Sequence, residues 1–338
     1  MRFLSDNTGT AAPEMLAAIA EANRGLVTAY GDDPWTKRLD ACLSTYFGTP
    51  VRAFPVATGT AANSLSLATL SPSYGVIFAH EEAHIANDEA GAPGFFTGGA
   101  QLSLLQAPDG KLTRDVLAAA LDAHHVSVHT LQPTVLALSQ ATELGTAYRP
   151  EELTALCALA HQHGMKVQMD GARFANAVAF LDCHPGDVTW RAGVDVLSFG
   201  ATKNGALTAE AVVFFNPDLV RDFELRRKQA GHLLSKSRYA SAQLLAYVES
   251  ELWLRNAQRT NELARIIGRA GAKFLMHPVE ANEVFLALGQ ERKQTLRQAG
   301  FQFYDWNAVS AGQARLVVSW DQHDQDVHAL CVALEKLR

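Results

Sequence analysis

The sequence predicts an α/β fold, with a mostly parallel seven-stranded sheet in a large domain and a smaller C-terminal α+β domain. Seven apolar runs of strand length alternate with helical segments over about the first 240 residues. Several runs are nearly unbroken by polar residues, which is typical of strands that helices cover on both faces. Polar motifs follow these runs at their carboxyl ends, where open α/β sheets bind their ligands.

The predicted strands of the large domain lie at residues 51–58, 76–79, 102–105, 135–139, 166–169, 194–199 and 212–215. Helices are predicted between them at 59–70, 114–121 and 150–162. The last of these begins with Pro150 and two glutamates and is followed by Gly164, which are helix start and stop signals. Strands alternating with helices favour a mainly parallel sheet.

After about residue 240 the regular alternation of predicted strands and helices ends. A long helix with an apolar stripe is predicted at 240–270, strands at 284–288, 301–306 and 315–320, and a final helix at 324–337. We therefore expect a large domain at residues 1–240, which includes a short N-terminal segment, and a small domain at residues 241–338.

Composition narrows the range of partners. The formal net charge of -6 gives no electrostatic footprint for nucleic acid, and no apolar run approaches the roughly 18 residues that span a bilayer. The four cysteines are scattered, without a C-x-x-C pair, which argues against a disulfide framework and a zinc site. The first residues do not read as a signal peptide. We expect a cytoplasmic protein that acts on a small molecule and needs no metal.

The first candidate site is residues 57–63, with the sequence Ala-Thr-Gly-Thr-Ala-Ala-Asn at a strand end. Small residues let the backbone approach a phosphate, which helix N-terminal amides and threonine hydroxyls then bind. The segment lacks the Gly-Lys-Ser/Thr ending of a Walker A loop. Taken alone, it is better interpreted as an ordinary strand-to-helix turn with a threonine cap.

The second candidate is Asp170, which follows an apolar run in the sequence Gln-Met-Asp-Gly-Ala-Arg. A carboxylate at a strand end can hold a protonated ring nitrogen, which makes a pyridinium a better electron sink. A helix cap is the alternative interpretation, because aspartate is common at that position.

The third candidate is Lys203, which follows the apolar run at 194–199 and lies among small residues. Burial lowers the pKa of a lysine and frees its amine to form a Schiff base. The alternative is an exposed loop lysine. Together the three candidates supply an anion site, a ring-nitrogen partner and a Schiff-base amine, each at a strand end of one domain. This combination predicts a pyridoxal 5′-phosphate (PLP) enzyme.

Further motifs extend over nearly the whole chain. They are Ser5-Asp6-Asn7, Tyr30-Gly31-Asp32-Asp33, Ala83-His84, Glu89-Ala90-Gly91-Ala92-Pro93, Asp170-Gly171-Ala172-Arg173, the segment 199–205 and Ala314-Arg315-Leu316. On these motifs the sequence resembles the low-specificity L-threonine aldolases, within the β-eliminating lyase group of fold-type I PLP-dependent enzymes. Many relatives read Ser-Asp-Thr where this chain has Ser5-Asp6-Asn7.

The resemblance implies a role for each residue around the cofactor. Lys203 would form the Schiff base, Asp170 would pair with the pyridine nitrogen, and His84 would stack on the ring. Arg173 would contact the phenolic oxygen of PLP. The phosphate would be bound by Thr58, Gly59 and Thr60.

The resemblance also implies substrate-binding roles. Ser5 and Arg315 would bind the carboxylate, which suits the planar fork of a guanidinium, and Tyr30 and Arg173 would contribute. His129 and Glu89 would lie near the β-hydroxyl. Each role has an alternative: a structural histidine, a salt-bridge glutamate, or an internal acid beside Arg315.

The resemblance further implies a homodimer or a homotetramer, of which we choose the homotetramer, with sites at the dimer interface. A basic stretch at residues 228–238 would reach the phosphate of a neighbouring subunit. Lys236 is our choice within it, with Lys228 and Arg238 as alternatives. Tyr30 or Lys236 would then act in the site of a partner.

The implied reaction is reversible cleavage of L-threonine, L-allo-threonine and related β-hydroxy-α-amino acids, phenylserine included, to glycine and an aldehyde. The base that takes the β-hydroxyl proton is left open among His84, His129, Glu89 and a held water. A β-elimination, a transamination, a hydroxymethyl transfer or a non-catalytic PLP-binding protein are the alternatives on the same scaffold.

Overall fold

Seven strands form one sheet, and six of them run in the same direction. In the computed structural model, which describes residues 1–307 and 312–337, they are β1 (Arg52–Val56), β2 (Gly75–His80), β3 (Gln101–Leu105), β4 (Gln132–Ser139), β5 (Lys166–Gly171), β6 (Val196–Gly200) and β7 (Glu210–Phe214). Their order is β1-β7-β6-β5-β4-β2-β3. Because β7 is antiparallel to both β1 and β6, β1 runs parallel to the remaining strands. The predicted mostly parallel sheet is confirmed, with each strand within a few residues of its predicted run.

Helices cover both faces of this sheet. They are α1 (Pro13–Ala22), α2 (Pro34–Phe47), α3 (Gly59–Leu70), α4 (His84–Asn87), α5 (Ala92–Thr97), α6 (Arg114–Ala123), α7 (Pro150–Gln162), α8 (Phe174–Leu181), α9 (Val220–Gln229) and α10 (Arg238–Glu249). Successive strand residues point to opposite faces. Leu197 therefore packs in one core with Phe47 of α2, and Val196 packs in the other with Leu65 of α3.

Three polar segments meet at the carboxyl edge of the parallel strands. Asp170 of β5 pairs with Ser139 of β4 on one side and with Ser198 of β6 on the other. Thr58 follows β1, and Lys203 follows β6. Since parallel strands end at the same edge, the sheet brings the three predicted PLP contacts together.

A second, antiparallel sheet has the order β8-β10-β9, with strands β8 (Glu283–Ala287), β9 (Tyr304–Trp306) and β10 (Gln313–Val317). Helices α11 (Leu252–Ala270), α12 (Gly289–Gln298) and α13 (Asp324–Lys336) belong to the same region. Phe3 is buried in its core, so the N-terminal segment packs against the C-terminal part of the chain. The division between residues 240 and 241 stays a prediction.

The single long helix predicted at 240–270 is wrong, because the chain forms two helices there, α10 and α11. Glu251 has a φ of 56°, in the left-handed region that ends an α-helix. The Ser250 hydroxyl donates a hydrogen bond to the Ala246 carbonyl (2.6 Å), within the last turn of α10. The break lets Tyr247 and Leu252, on either side of it, both become buried. An apolar stripe in the sequence does not reveal such a change of direction.

Among residues 1–307 and 312–337, no helix has the length and apolar character needed to cross a membrane. The cysteines Cys42, Cys157, Cys183 and Cys331 are all free.

Replacing Leu197 by Ala should lower the free energy of unfolding by about 2–5 kcal/mol, because a fully buried leucine leaves a cavity in the core. The matched control is Leu225→Ala on α9, where the side chain is 66% exposed and the expected loss is below about 0.5 kcal/mol. Denaturant unfolding of both variants measures the difference. Equal losses would contradict the assignment of Leu197 to the core.

Candidate active site

A cavity of about 360 Å³ opens at the carboxyl edge of the large sheet. This volume is within the range of small-ligand sites. Six of the residues predicted from the sequence line it: Thr58, Gly59, Thr60, His84, Asp170 and Lys203.

The turn between β1 and α3 has the features of an anion site. Thr58 is the N-cap of α3, and its Oγ1 accepts a hydrogen bond from the Ala61 amide (3.1 Å). The other first-turn amides of this 12-residue helix have no acceptor within the helix, and the helix dipole makes the potential there positive. A Cβ built on Gly59 would meet no atom within 4 Å, so open space lies beside the turn. A phosphate fits these features.

Asp170 is held in one orientation by neighbouring donors. Asn63 Nδ2 donates to Asp170 Oδ2 (2.7 Å) and to Glu89 Oε1 (2.9 Å). Gln168 Nε2 donates to Asn63 Oδ1 (3.1 Å), which fixes the direction of the Asn63 amide. The second oxygen of Asp170 accepts from the Ala172 amide (2.9 Å). This buried carboxylate is therefore oriented to accept a hydrogen bond from a protonated pyridine nitrogen.

The half-buried His84 pairs with the buried Glu89. His84 Nδ1 lies 2.9 Å from Glu89 Oε1. This hydrogen bond raises the pKa of His84, against the opposing effect of burial and with a further contribution from Asp170. Glu89 itself does not line the cavity and reaches it only through His84. The pair leaves His84 Nε2 as the nitrogen available for proton transfer.

A further carboxyl, Glu143, fixes the start of α4. Glu143 Oε1 accepts from the backbone amide of His84 (2.8 Å) and from Ser139 Oγ (2.7 Å). Burial raises the pKa of Glu143 to about 7, and the charge of Asp170 adds to the shift. The imidazole of His84 is therefore positioned through both its backbone and its Nδ1.

Lys203 lies on a 3₁₀ turn, Thr202–Asn204, directly after β6. Asn204 Nδ2 donates to Tyr247 Oη (2.7 Å) and to the Trp253 carbonyl (2.9 Å). Gly205 has a φ of 111°, and a Cβ there would lie 2.9 Å from Asn256 Nδ2. Within the described part of the chain the Lys203 ammonium has no hydrogen bond or ion pair. The backbone is fixed while the amine remains free to react.

Two arginines and two acids form a buried network beside the cavity. Arg173 Nε and Nη2 donate to the two carboxylate oxygens of Asp6 (2.7 and 3.0 Å). Arg173 Nη1 lies 3.4 Å from Glu283 Oε2. Arg315 Nε and Nη2 both donate to Glu283 Oε1 (3.0 and 2.7 Å). The internal acid that the sequence left open as an alternative beside Arg315 is therefore present.

Asp6 keeps its charge at neutral pH. Burial alone would raise the pKa of Asp6, but Arg173, Lys203 and Asn282 lower it to about 2. In the described residues, Arg315 Nη1 has no bonded acceptor, and the Arg315 side chain is 18% exposed. One edge of this guanidinium therefore remains available to a ligand.

His129 of the same chain does not reach the cavity. It precedes Gln132, which pairs with Gly75 at the start of β2, whereas the cavity lies beyond the ends of these strands. The eight residues of β4 separate the two edges by roughly 26 Å. Any role of His129 at this kind of site must be played in another copy of the chain.

Tyr30 and Lys236 also lie outside the cavity. Tyr30 is 55% exposed, its amide donates to the Ser235 carbonyl (3.0 Å), and the Lys228 ammonium lies 4.9 Å from its ring centroid. Lys236 is exposed. Ser5 caps the first turn by accepting from the Asn7 amide (3.2 Å), and only Asn7 of the two lines the cavity. The predicted roles of these residues stay predictions.

Ligand atoms of His84, Glu89 and Asp170 lie within 4.8 Å of one another, a spacing that a metal ion can use. Hydrogen bonds through Asn63 and between His84 and Glu89 already occupy these atoms.

Several site residues were missed from the sequence, among them Asn63, Glu143, Glu210 and Glu283. The signal for Asn63 was its polar side chain in the helix that follows the phosphate turn. Glu283 lies more than 100 residues after Arg173 in the sequence, so only the fold brings the two side chains together.

Comparisons with known proteins agree with this geometry. Residues 2–290 match the family model described as β-eliminating lyase. The chain is 45% identical to the low specificity L-threonine aldolase of Pseudomonas aeruginosa over 97% of this chain and 95% of that one. It is 43% identical to the enzyme of the same name from a Pseudomonas species, with the same coverage. A threonine aldolase structure from Leishmania major superposes with a TM-score of 0.93 at 25% identity, over 99% of both chains.

The donor set of the cavity fits PLP. A helix N-terminus, an oriented carboxylate and an unpaired lysine suit the phosphate, the ring nitrogen and the aldehyde of this cofactor. The fold is that of the fold-type I PLP-dependent enzymes. On the family match and the near-complete coverage of its relatives, the chain belongs to the β-eliminating lyase family of PLP-dependent enzymes.

Proposed function

We propose that this protein is an aldolase that reversibly cleaves L-threonine, L-allo-threonine and related β-hydroxy-α-amino acids, phenylserine included, to glycine and an aldehyde. The main support is the 45% identity over 97% of the chain to a low specificity L-threonine aldolase. The convergence of Lys203, Asp170 and His84 in one cavity supports the same reaction.

When bound, PLP accepts the electron pair that cleavage of the Cα–Cβ bond leaves on the substrate. Lys203 holds the cofactor through its free amine, and the turn at Thr58, Gly59 and Thr60 binds the phosphate. Asp170 keeps a proton on the ring nitrogen, which improves this electron sink.

Arg315 binds the substrate carboxylate through its unbonded edge, with Ser5 as a second donor. Glu283 holds the opposite edge of the guanidinium, so the direction of Arg315 is set before the substrate arrives. Arg173 is locked between Asp6 and Glu283 and acts on the phenolic oxygen and the substrate from that position.

His84 takes the β-hydroxyl proton on Nε2. Its Nδ1 is bonded to Glu89, which orients the ring and stabilises the protonated form. Glu89 serves as a positioning residue, because it reaches the cavity only through His84.

We propose a homotetramer, in which a neighbouring copy supplies His129, Tyr30 and a basic residue of the 228–238 stretch, with Lys236 as our choice. These residues lie outside the cavity of their own chain, and Tyr30 and Lys236 are exposed. The cytoplasmic location also stays a proposal that rests on composition.

The purified protein should release glycine and acetaldehyde from L-threonine and L-allo-threonine, and glycine and benzaldehyde from L-phenylserine. Incubation with each amino acid, with assay of the aldehyde and the amino-acid product, tests this directly. Release of a keto acid and ammonia without aldehyde would instead indicate another PLP reaction on the same scaffold.

Replacing Arg315 by Lys should lower kcat/KM by about 10- to 100-fold, mainly through KM, because the single nitrogen of lysine cannot present one planar edge to Glu283 and another to the substrate carboxylate. Steady-state kinetics with L-threonine measures the change. The matched control is Arg292→Lys, on α12, for which we expect unchanged kinetics. Unchanged KM in Arg315→Lys would contradict the carboxylate-binding role.

A further inference from the structure

A second acid, Glu210, faces the cavity from the first position of β7. It lies opposite Val56, which precedes the phosphate turn, and opposite Gly200, which precedes the turn that carries Lys203. It is buried and lines the cavity together with Thr58 and Lys203. Glu210 therefore lies between the predicted phosphate site and the Schiff-base lysine.

The neighbouring contacts fix this position from both sides. The Thr202 amide donates to Glu210 Oε1 (3.3 Å). Thr208, two residues before Glu210, donates its hydroxyl hydrogen to the Ala57 carbonyl (3.2 Å). A Cβ at Gly200 would lie 3.0 Å from Glu210 Oε2, so glycine at this position leaves room for the carboxyl.

Within one copy of the chain, the charges around Glu210 do not balance an incoming phosphate. Among the described residues that line the cavity, only Lys203 and His84 can carry a positive charge, and Asp170 is a second acid. Tyr247 of α10 also faces Glu210, as a neutral phenol whose pKa burial raises. The threonines and the glycine that form the phosphate end of the cavity carry no positive charge.

Glu210 is poised to change its charge near neutral pH. Burial raises its pKa to about 7, Thr202 and Lys203 oppose the shift, and Asp170 adds to it. A phosphate carries up to two negative charges at neutral pH. A phosphate bound at the neighbouring turn would therefore favour the protonated form of Glu210.

We propose that Glu210 takes up one proton from solvent when PLP binds and then acts as a neutral hydrogen-bonding partner at the phosphate end of the cavity. This inference rests on the proposed function, because it requires PLP at this site. No electrons move: a carboxylate gains a proton and becomes a carboxylic acid.

The proposal fixes the sign of a pH dependence. Below about pH 7 Glu210 is already protonated in the free protein, so PLP binding requires no proton uptake by this residue. Above about pH 7 binding must draw a proton from solvent, and the affinity for PLP falls by up to about tenfold per pH unit until the pKa of the bound form is reached.

The test compares the dissociation constant of PLP for the full-length apoenzyme with that of Glu210→Gln, between about pH 6 and about pH 8.5. Glutamine has nearly the same shape and no charge. Taking the ratio of the wild-type constant to the variant constant removes the pH dependence that the two proteins share. We expect this ratio to rise at least about tenfold over the range. The control Glu249→Gln, in an exposed ion pair with Arg38, should follow the wild type.

An unchanged ratio, with PLP bound by both proteins, would overturn this inference and leave the proposed function intact. A wild type that binds no PLP at any pH would overturn both.

A second measurement uses only the wild type and does not require the variant to fold. Sulfate stays doubly charged across this pH range and can take the place of the phosphate. We expect sulfate to protect the apoenzyme against heat more strongly at about pH 6 than at about pH 8.5. Equal or stronger protection at the higher pH would overturn the proposal.

Discussion

Asn63 holds two buried carboxylates side by side at the centre of the active site. Asp170 and Glu89 are acids in a region with few charges to offset them, and such pairs repel unless donors separate them. The two hydrogens of the Asn63 amide give each acid one bond, at 2.7 and 2.9 Å. In our proposal Asp170 pairs with the cofactor ring and Glu89 orients the base His84, so one amide links these two groups.

The same principle recurs at the substrate end, with different partners. Asp6 and Glu283 are buried acids, and Arg173 and Arg315 offset them in a nearly dry network. Each acid faces a guanidinium before a substrate binds, so the geometry of the network is set in advance. An entering carboxylate then meets an arginine that is already held in place, which reduces the loss of conformational entropy on binding.

The sequence predicted the fold because the apolar runs, the turn residues and the helix signals all agree locally. It also predicted the residues that follow strand ends, such as Asp170 and Lys203, since their place in the chain fixes their place at the sheet edge. The sequence did not predict Glu283 as a site residue. Its contact with Arg173 connects the small sheet to the large domain, and no local sequence pattern encodes such a long-range contact. The sequence did not predict the break at Glu251, because one long helix and two consecutive helices can show the same apolar stripe. His129 matches a family position, yet it precedes β4 and therefore lies at the edge of the sheet away from the cavity.

The central claim is that PLP is bound covalently to Lys203. Reduction of the yellow protein with borohydride, followed by proteolysis and mass spectrometry, measures which of the nine lysines carries the cofactor. The account predicts the modification on the peptide that contains Lys203 and on no other. Cofactor on a different lysine, or a protein that retains none after incubation with PLP, would contradict it.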